Sequence, residues 1–312
     1  MTKESSRSPT AGGGLAAVAI CVAAALWGLD GVVLTPRLFA LPVLFVVFLL
    51  HAVPFLLMQG FLREAYRALA GLSIPGWANL AAVALVGGLL GTLSIVTAIF
   101  LVEFKQLSVV VLLQKFQPLF AILLAAVLLG ERPTRGFLAW ASLAIAGGYL
   151  LTFGWRAPDF ETGANTAKAA LFALLAAASF GSATVLGKRL LGLLGFWQAT
   201  FGRYGLTSLL AALLLIATGV GFPIGSVTRE QWLVIGIISV TTGSGAILLY
   251  YWGLQKVRAL TATICEMCLP LSAVFFDYLV NGSRLTSIQI LGAVLLITAI
   301  TRVSTKQESR QG

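Results

Sequence analysis

Six ionisable side chains interrupt stretches that are otherwise apolar: Asp30, His51, Lys115, Arg203, Glu266 and Asp277. Within hydrocarbon each would cost at least about 2.5–3.5 kcal/mol to insert, so each needs a compensating role. Glu266 lies four residues before Pro270, and Thr263, Glu266, Pro270 and Asp277 share one helical face. Proline frees a backbone carbonyl in the preceding turn, which suits a bent or broken helix lining a polar pocket. Glu266 there serves as a contact for a substrate amine, as a proton-coupling carboxylate, or as the structural partner of Lys115. Lys115 itself stands three residues before Pro118, beside Gln114. A plain Lys115–Glu266 ion pair is the simplest expectation; opening it would offer both charges to a zwitterion. Asp30 follows Trp27 by three residues, so an aromatic wall and a carboxylate face the same way. A cation over an indole ring gains about 0.5–2 kcal/mol. His51 is expected to bond a neighbouring helix or relay protons. Arg203 is expected to snorkel to the interface or to line the pocket. Ser179, Ser182 and Thr184 allow close helix packing or offer hydroxyls to a substrate. Tyr250, in the run Tyr250-Tyr251-Trp252, belongs by default to an interfacial aromatic belt, or lines an inner gate.

Other chemistry finds no support. Cys265-Glu266-Met267-Cys268 is a CxxC, but it lies in an apolar run with no second cysteine pair. Gly12-Gly13-Gly14 lacks the lysine and spacing of a phosphate-binding loop. The one histidine precludes a histidine-based metal cluster. No catalytic residues, no metal and no cofactor are therefore expected, and any work done must run on gradients.

These side chains need elements to hold them. The chain has 312 residues, 59% hydrophobic and 10% charged, with mean hydropathy +0.97; a soluble chain is about 45–50% apolar and about 25% charged. Long intervals, such as Arg67 to Glu103 and Glu230 to Lys256, hold no charge at all. A bilayer core of about 30 Å needs about 20 apolar residues as helix, and helices satisfy their own backbone in lipid. The sequence predicts ten helices, at about 13–35, 42–61, 76–101, 107–129, 134–154, 167–190, 196–218, 231–254, 260–280 and 286–303. The net charge of +10 sits in short clusters between apolar runs, which fits the positive-inside rule better than a nucleic-acid surface. With both termini cytoplasmic, only Arg37, Lys105, Arg156, Lys168, Arg229 and Arg284 fall on the outer side, with Lys115 and Arg203 inside helices. The expected partners are a small-molecule substrate and the lipid bilayer, with no nucleic acid, in a monomer or homodimer of the plasma (inner) membrane.

The chain also repeats. A shift of 152 residues lays Gln117-Pro118-Leu119 on Leu269-Pro270-Leu271, Gly130 on Gly282, and His51 on Arg203; a shift of 153 lays Trp27-Gly28 on Phe180-Gly181. Each half holds five helices, and because five is odd the halves enter the membrane from opposite sides. The fold class expected is an all-α polytopic membrane protein, ten transmembrane helices as two inverted five-helix repeats. The repeats span 13–154 and 167–303, with a linker at 155–166 and tails at 1–12 and 304–312.

Trp27-Gly28, the run Leu112–Gly130 with Pro118, Glu131-Arg132-Pro133-Thr134 and Gly147-Gly148 resemble the EamA family of the drug/metabolite transporter superfamily. The resemblance covers each half once; in the second, Ser283 stands for the usual Glu and Phe180 for the usual Trp. It implies a secondary transporter with a central cavity and alternating access, carrying amino acids, amines, drugs or similar metabolites, with export favoured. The cavity would use Trp27, Asp30, Gln114, Lys115, Pro118, Ser179, Ser182, Arg203, Tyr250, Glu266 and Pro270. An importer or exchanger, or a membrane scaffold without transport, are the alternatives.

Overall fold

The structure is a computed structural model and describes residues 13–102, 107–156, 164–282 and 284–311. Lys105 and Ser283, and most of the proposed linker and N-terminal tail, lie outside the described residues. Ten helices carry the fold: α1 Gly13–Leu38, α2 Val43–Met58, α3 Ile74–Leu101, α4 Val110–Leu128, α5 Arg135–Phe153, α6 Asn165–Leu190, α7 Phe196–Thr218, α8 Arg229–Leu254, α9 Ala259–Val280 and α10 Ser287–Thr305. All except α2 are long and apolar enough to cross a membrane. At 16 residues, α2 is about 24 Å long and shorter than the expected 42–61. The chain is a multi-pass membrane protein built from two inverted five-helix repeats.

Local chemistry sets the ends. Thr134 caps α5 by accepting from the Phe137 amide at 3.2 Å. Thr228 and Gln231 form a reciprocal capping box on α8, at 3.2 and 3.0 Å. Gly130 and Gly282, repeat mates, close α4 and α9 with φ of 66° and 70°, a left-handed turn that only glycine adopts freely.

Packing repeats as the sequence does. α1 lies against α8 and α9, and its mate α6 lies against α3 and α4; α2 packs on α7 and α5 on α10. Small residues allow these approaches. A Cβ on Gly28 would sit 2.7 Å from the Leu269 carbonyl and 2.9 Å from the Ala273 amide; one on Gly181 would sit 2.5 Å from the Gln117 carbonyl and 3.0 Å from the Ala121 amide. Leu269 and Ala273 are the repeat mates of Gln117 and Ala121, so one contact is built twice. Gly147 and Gly292 likewise bring the α5 and α10 backbones together.

Two kinds of distortion break the regular helices. α4 is interrupted at Lys115–Phe116 and α9 at Glu266–Met267, each just before its proline. α9 is therefore not the single face expected for Thr263 to Asp277. α1, α3 and α8 contain wide π-helical turns at Asp30–Leu34, Val83–Leu90 and Ser239–Gly243; the last two occupy overlapping repeat positions.

Candidate functional site

The two helix breaks meet at one polar cluster. The Glu266 carboxylate accepts from the Tyr250 hydroxyl at 2.6 Å and the Thr184 hydroxyl at 2.9 Å on Oε1, and from the Gln117 side-chain amide on Oε2. Glu266 and Tyr250 are both buried. The Trp27 ring stands over Tyr250, centroids 5.3 Å apart. The cluster thus draws on α1, α4, α6, α8 and α9, and so on both repeats. A buried carboxylate without donors would be very costly; here three donors satisfy it. Those donors can be exchanged for a ligand's N–H or O–H groups without stranding charge.

Other sequence-derived candidates are arranged differently. Lys115 is buried but makes no ion pair or hydrogen bond through its side chain among the described residues, so the expected salt bridge to Glu266 is not formed. The α4 break turns its stem to α5 instead, where its Nζ lies 3.8 Å from the position of a Cβ on Gly148. Gln114 bonds the Ala173 carbonyl of α6 at 3.1 Å rather than the carboxylate. Pro118 and Ser179 are buried, while Ser182 and Pro270 are half-buried. Asp30 lies one turn beyond Trp27 and makes no bond to the Glu266 cluster.

Arg203 does not snorkel. It is buried, donating to the Tyr251 hydroxyl at 3.1 Å and to the Gly87 carbonyl at 3.2 Å. The absent side chain of Gly87 lets α6 approach, since a Cβ there would collide with the Ala183 Cβ, and the α3 π-turn supplies the carbonyl. Tyr250 and Tyr251 are likewise in the core rather than in an interfacial belt; only Trp252, with Lys256 Nζ 3.5 Å from its ring centroid, is partly exposed. His51 bonds the Val47 carbonyl of its own helix at 2.8 Å and stacks near Tyr204; the helix it bonds is not a neighbour. Cys21, Cys265 and Cys268 are free thiols.

Gln117 of the cluster is not among the sequence-derived candidates, although it precedes Pro118 in the run that repeats around Glu266. Of Ser179, Ser182 and Thr184 on α6, Thr184 is the one that bonds Glu266.

At the end of the molecule where α4 leaves and α9 begins, Glu131 closes one repeat on the other. Its oxygens accept from the Ala259 and Leu260 amides at 3.0 and 3.1 Å, and Arg258 Nε lies 3.6 Å away. Lys188 adds donations to the Leu254 and Gln255 carbonyls at 2.9 and 3.0 Å. Glu131, in the loop between α4 and α5, therefore caps the N-terminus of α9. Losing a cap costs about 0.5–2 kcal/mol. Glu131→Ala should accelerate hydrogen exchange at Ala259 and Leu260 several-fold while leaving the α5 amides unchanged.

The EamA-like transporter family matches residues 14–153 and again residues 167–305. The chain is 49% identical over 289 residues to the riboflavin transporter ImpX of Fusobacterium nucleatum subsp. nucleatum, covering 92% of this chain and 97% of that protein. It is 29% identical over 168 residues to the uncharacterized transporter YcbK of Bacillus subtilis, about half of each. A crystal structure of a protein superposes with a TM-score of 0.74 at 17% identity, covering 96% of this chain and 98% of that one, which speaks to the fold. With the family model matched once in each half, around the two helix breaks that form the polar cluster, this chain belongs to the EamA-like transporter family.

Proposed function

We propose that this transporter carries a flavin of the riboflavin type, bound at the polar cluster where the two helix breaks meet. The observation that carries the reading is the buried Glu266–Tyr250–Thr184–Gln117 network with Trp27 over Tyr250. A flavin has a flat aromatic ring system with an edge of alternating acceptors and one N–H, and a hydroxylated tail. Glu266 can accept from that N–H, Gln117 can both donate and accept, and Trp27 with Tyr250 provides aromatic surfaces to stack on. The 49% identity to a riboflavin transporter supports the same class.

Amino acids, amines or drugs are the broader substrate expectation. Gln117 and the Trp27–Tyr250 pair, which an amine does not need, suit a neutral, polar-edged ring better. In this reading the halves rock about the breaks and expose the pocket to each side in turn, driven by the flavin gradient, with both termini cytoplasmic in the plasma membrane. Purified protein should quench riboflavin fluorescence saturably, and Trp27→Ala should weaken the apparent affinity about tenfold through loss of one stacking face. No saturable quenching, or full displacement by an aromatic amino acid, would return the assignment to amino acids or amines.

A further inference from the structure

Away from the Glu266 network, three buried side-chain oxygens around two loosened turns, Asp30 Oδ1, Ser239 Oγ and Thr242 Oγ1, close no well-formed hydrogen bond among the described residues. Ser239 is 0% exposed and Thr242 is 1% exposed. Buried polar groups are nearly always satisfied, and exceptions often mark an ion or a water. Asp30 opens the π-turn of α1, and Ser239 and Thr242 lie on the π-turn of α8; the two helices pack together. The hydroxyls of Thr35 and Thr242 lie beside the Asp30 carboxyl. Asp30 has no ion pair among the described residues.

The repeat shows what this place holds in the other half. Under the shifts that relate the halves, Ala183 is the mate of Asp30, Gly87 the mate of Ser239, and Arg203 the mate of His51. At one of the two equivalent sites, Ala183 of α6 packs against Gly87 of α3 and the Arg203 guanidinium of α7 sits on the Gly87 carbonyl. At the other site, the alanine is replaced by a carboxylate and the arginine by a histidine that bonds its own helix. One site thus holds a fixed cation of the second repeat on the π-turn of α3 in the first. The other removes that cation and adds an anion and unsatisfied hydroxyls at the corresponding turn.

We propose that Asp30, Thr35 and Thr242, with Ser239 on the same turn, form a sodium-ion site between α1 and α8. One carboxylate balances one positive charge, and the remaining donors are neutral hard oxygens. A divalent ion such as calcium gathers six to eight oxygens, usually with several carboxylates. Unwound turns of membrane helices are also where secondary transporters coordinate sodium. Other charged groups nearby are committed elsewhere. Arg203 is held by Tyr251 and Gly87, and Arg37 lies 3.8 Å from Glu230 at the exposed end. Tyr204, within electrostatic reach of Asp30, stacks near His51. The ion would bridge the first repeat to the second on the same two helices that bring Trp27 and Tyr250 together.

The test uses the purified full-length protein in detergent without flavin, exchanging choline chloride for sodium chloride at constant ionic strength up to about 200 mM. A ligand bound only by the folded state raises the unfolding temperature by mass action. Wild type should gain about 2–4 °C in sodium, saturably. Thr242→Val, which keeps the side-chain shape, should match wild type's order in choline but lose the sodium response, as should Asp30→Asn. Glu266→Gln should keep the response. A wild-type unfolding temperature indifferent to sodium would overturn the site. So would a response kept in full by Thr242→Val, or one lost in Glu266→Gln but kept in Asp30→Asn. Because flavin is absent, the result stands or falls separately from the substrate proposal.

Discussion

Glu266→Gln is expected to lower riboflavin flux into proteoliposomes by about tenfold to a hundredfold, with the protein still folded. The carboxylate collects three hydrogen bonds across the boundary between the repeats. Glutamine keeps one acceptor oxygen and turns an NH2 group toward one of the donors, either Gln117 or the Tyr250–Thr184 pair. Hydrogen bonds to a charged group contribute about 1.5–3 kcal/mol each, and each 1.4 kcal/mol is about tenfold. Shape is conserved, so the helices should still assemble. Tyr250→Phe removes one donor and leaves Thr184 on the same oxygen; its loss should be the smaller of the two. Initial rates of labelled flavin entry, with unfolding temperatures of each variant, check both statements. Equal rates for wild type and Glu266→Gln would remove the carboxylate from the pathway.

A second large effect is expected where backbones touch. Gly181→Val should destabilise the protein severely, as should Gly28→Val in the opposite repeat. At each position the first added carbon already meets a carbonyl and an amide of the broken helix, at 2.5 and 3.0 Å for Gly181. Neither backbone atom can rotate away, so the helices must separate. Overpacking costs about 1–3 kcal/mol even where side chains can yield. Gly236 provides the contrast: it lies inside α8 with no atom within 4 Å of an added carbon. Gly236→Ala should gain about 0.5–1 kcal/mol from helix propensity alone. Thermal unfolding in detergent should rank the four proteins Gly236→Ala, wild type, then the two valine variants well below. Valine variants as stable as wild type would mean that the repeat contacts are looser than described.

The spans, their duplication and the break of α9 before Pro270 were readable because each leaves a one-dimensional mark. Apolar runs between charges give spans, and Pro118 and Pro270 recur at one offset just after the two breaks. Glu266 stood out because charge is rare in such runs. Gln117 did not, since a glutamine in an apolar helix has no periodicity of its own. Lys115 was misjudged because a break rotates everything around it: on a regular helix it would border the cavity, but here it turns to Gly148. Arg203 was misjudged for a different reason. Its acceptor is a carbonyl on a π-turn in another helix, and that turn does not show in the residues near Arg203.

The Glu131 clamp has a consequence for how the carrier behaves at rest. Its repeat counterpart in the sequence is Ser283, a neutral hydroxyl where Glu131 has a carboxylate, so the two mouths are expected to differ in how hard they are to open. A difference of about 1.4–2.8 kcal/mol between the two access states would populate one over the other by about tenfold to a hundredfold. Half-saturation measured from opposite faces of the bilayer would then differ even for a passive carrier, because the less populated face must first be recruited before it can load.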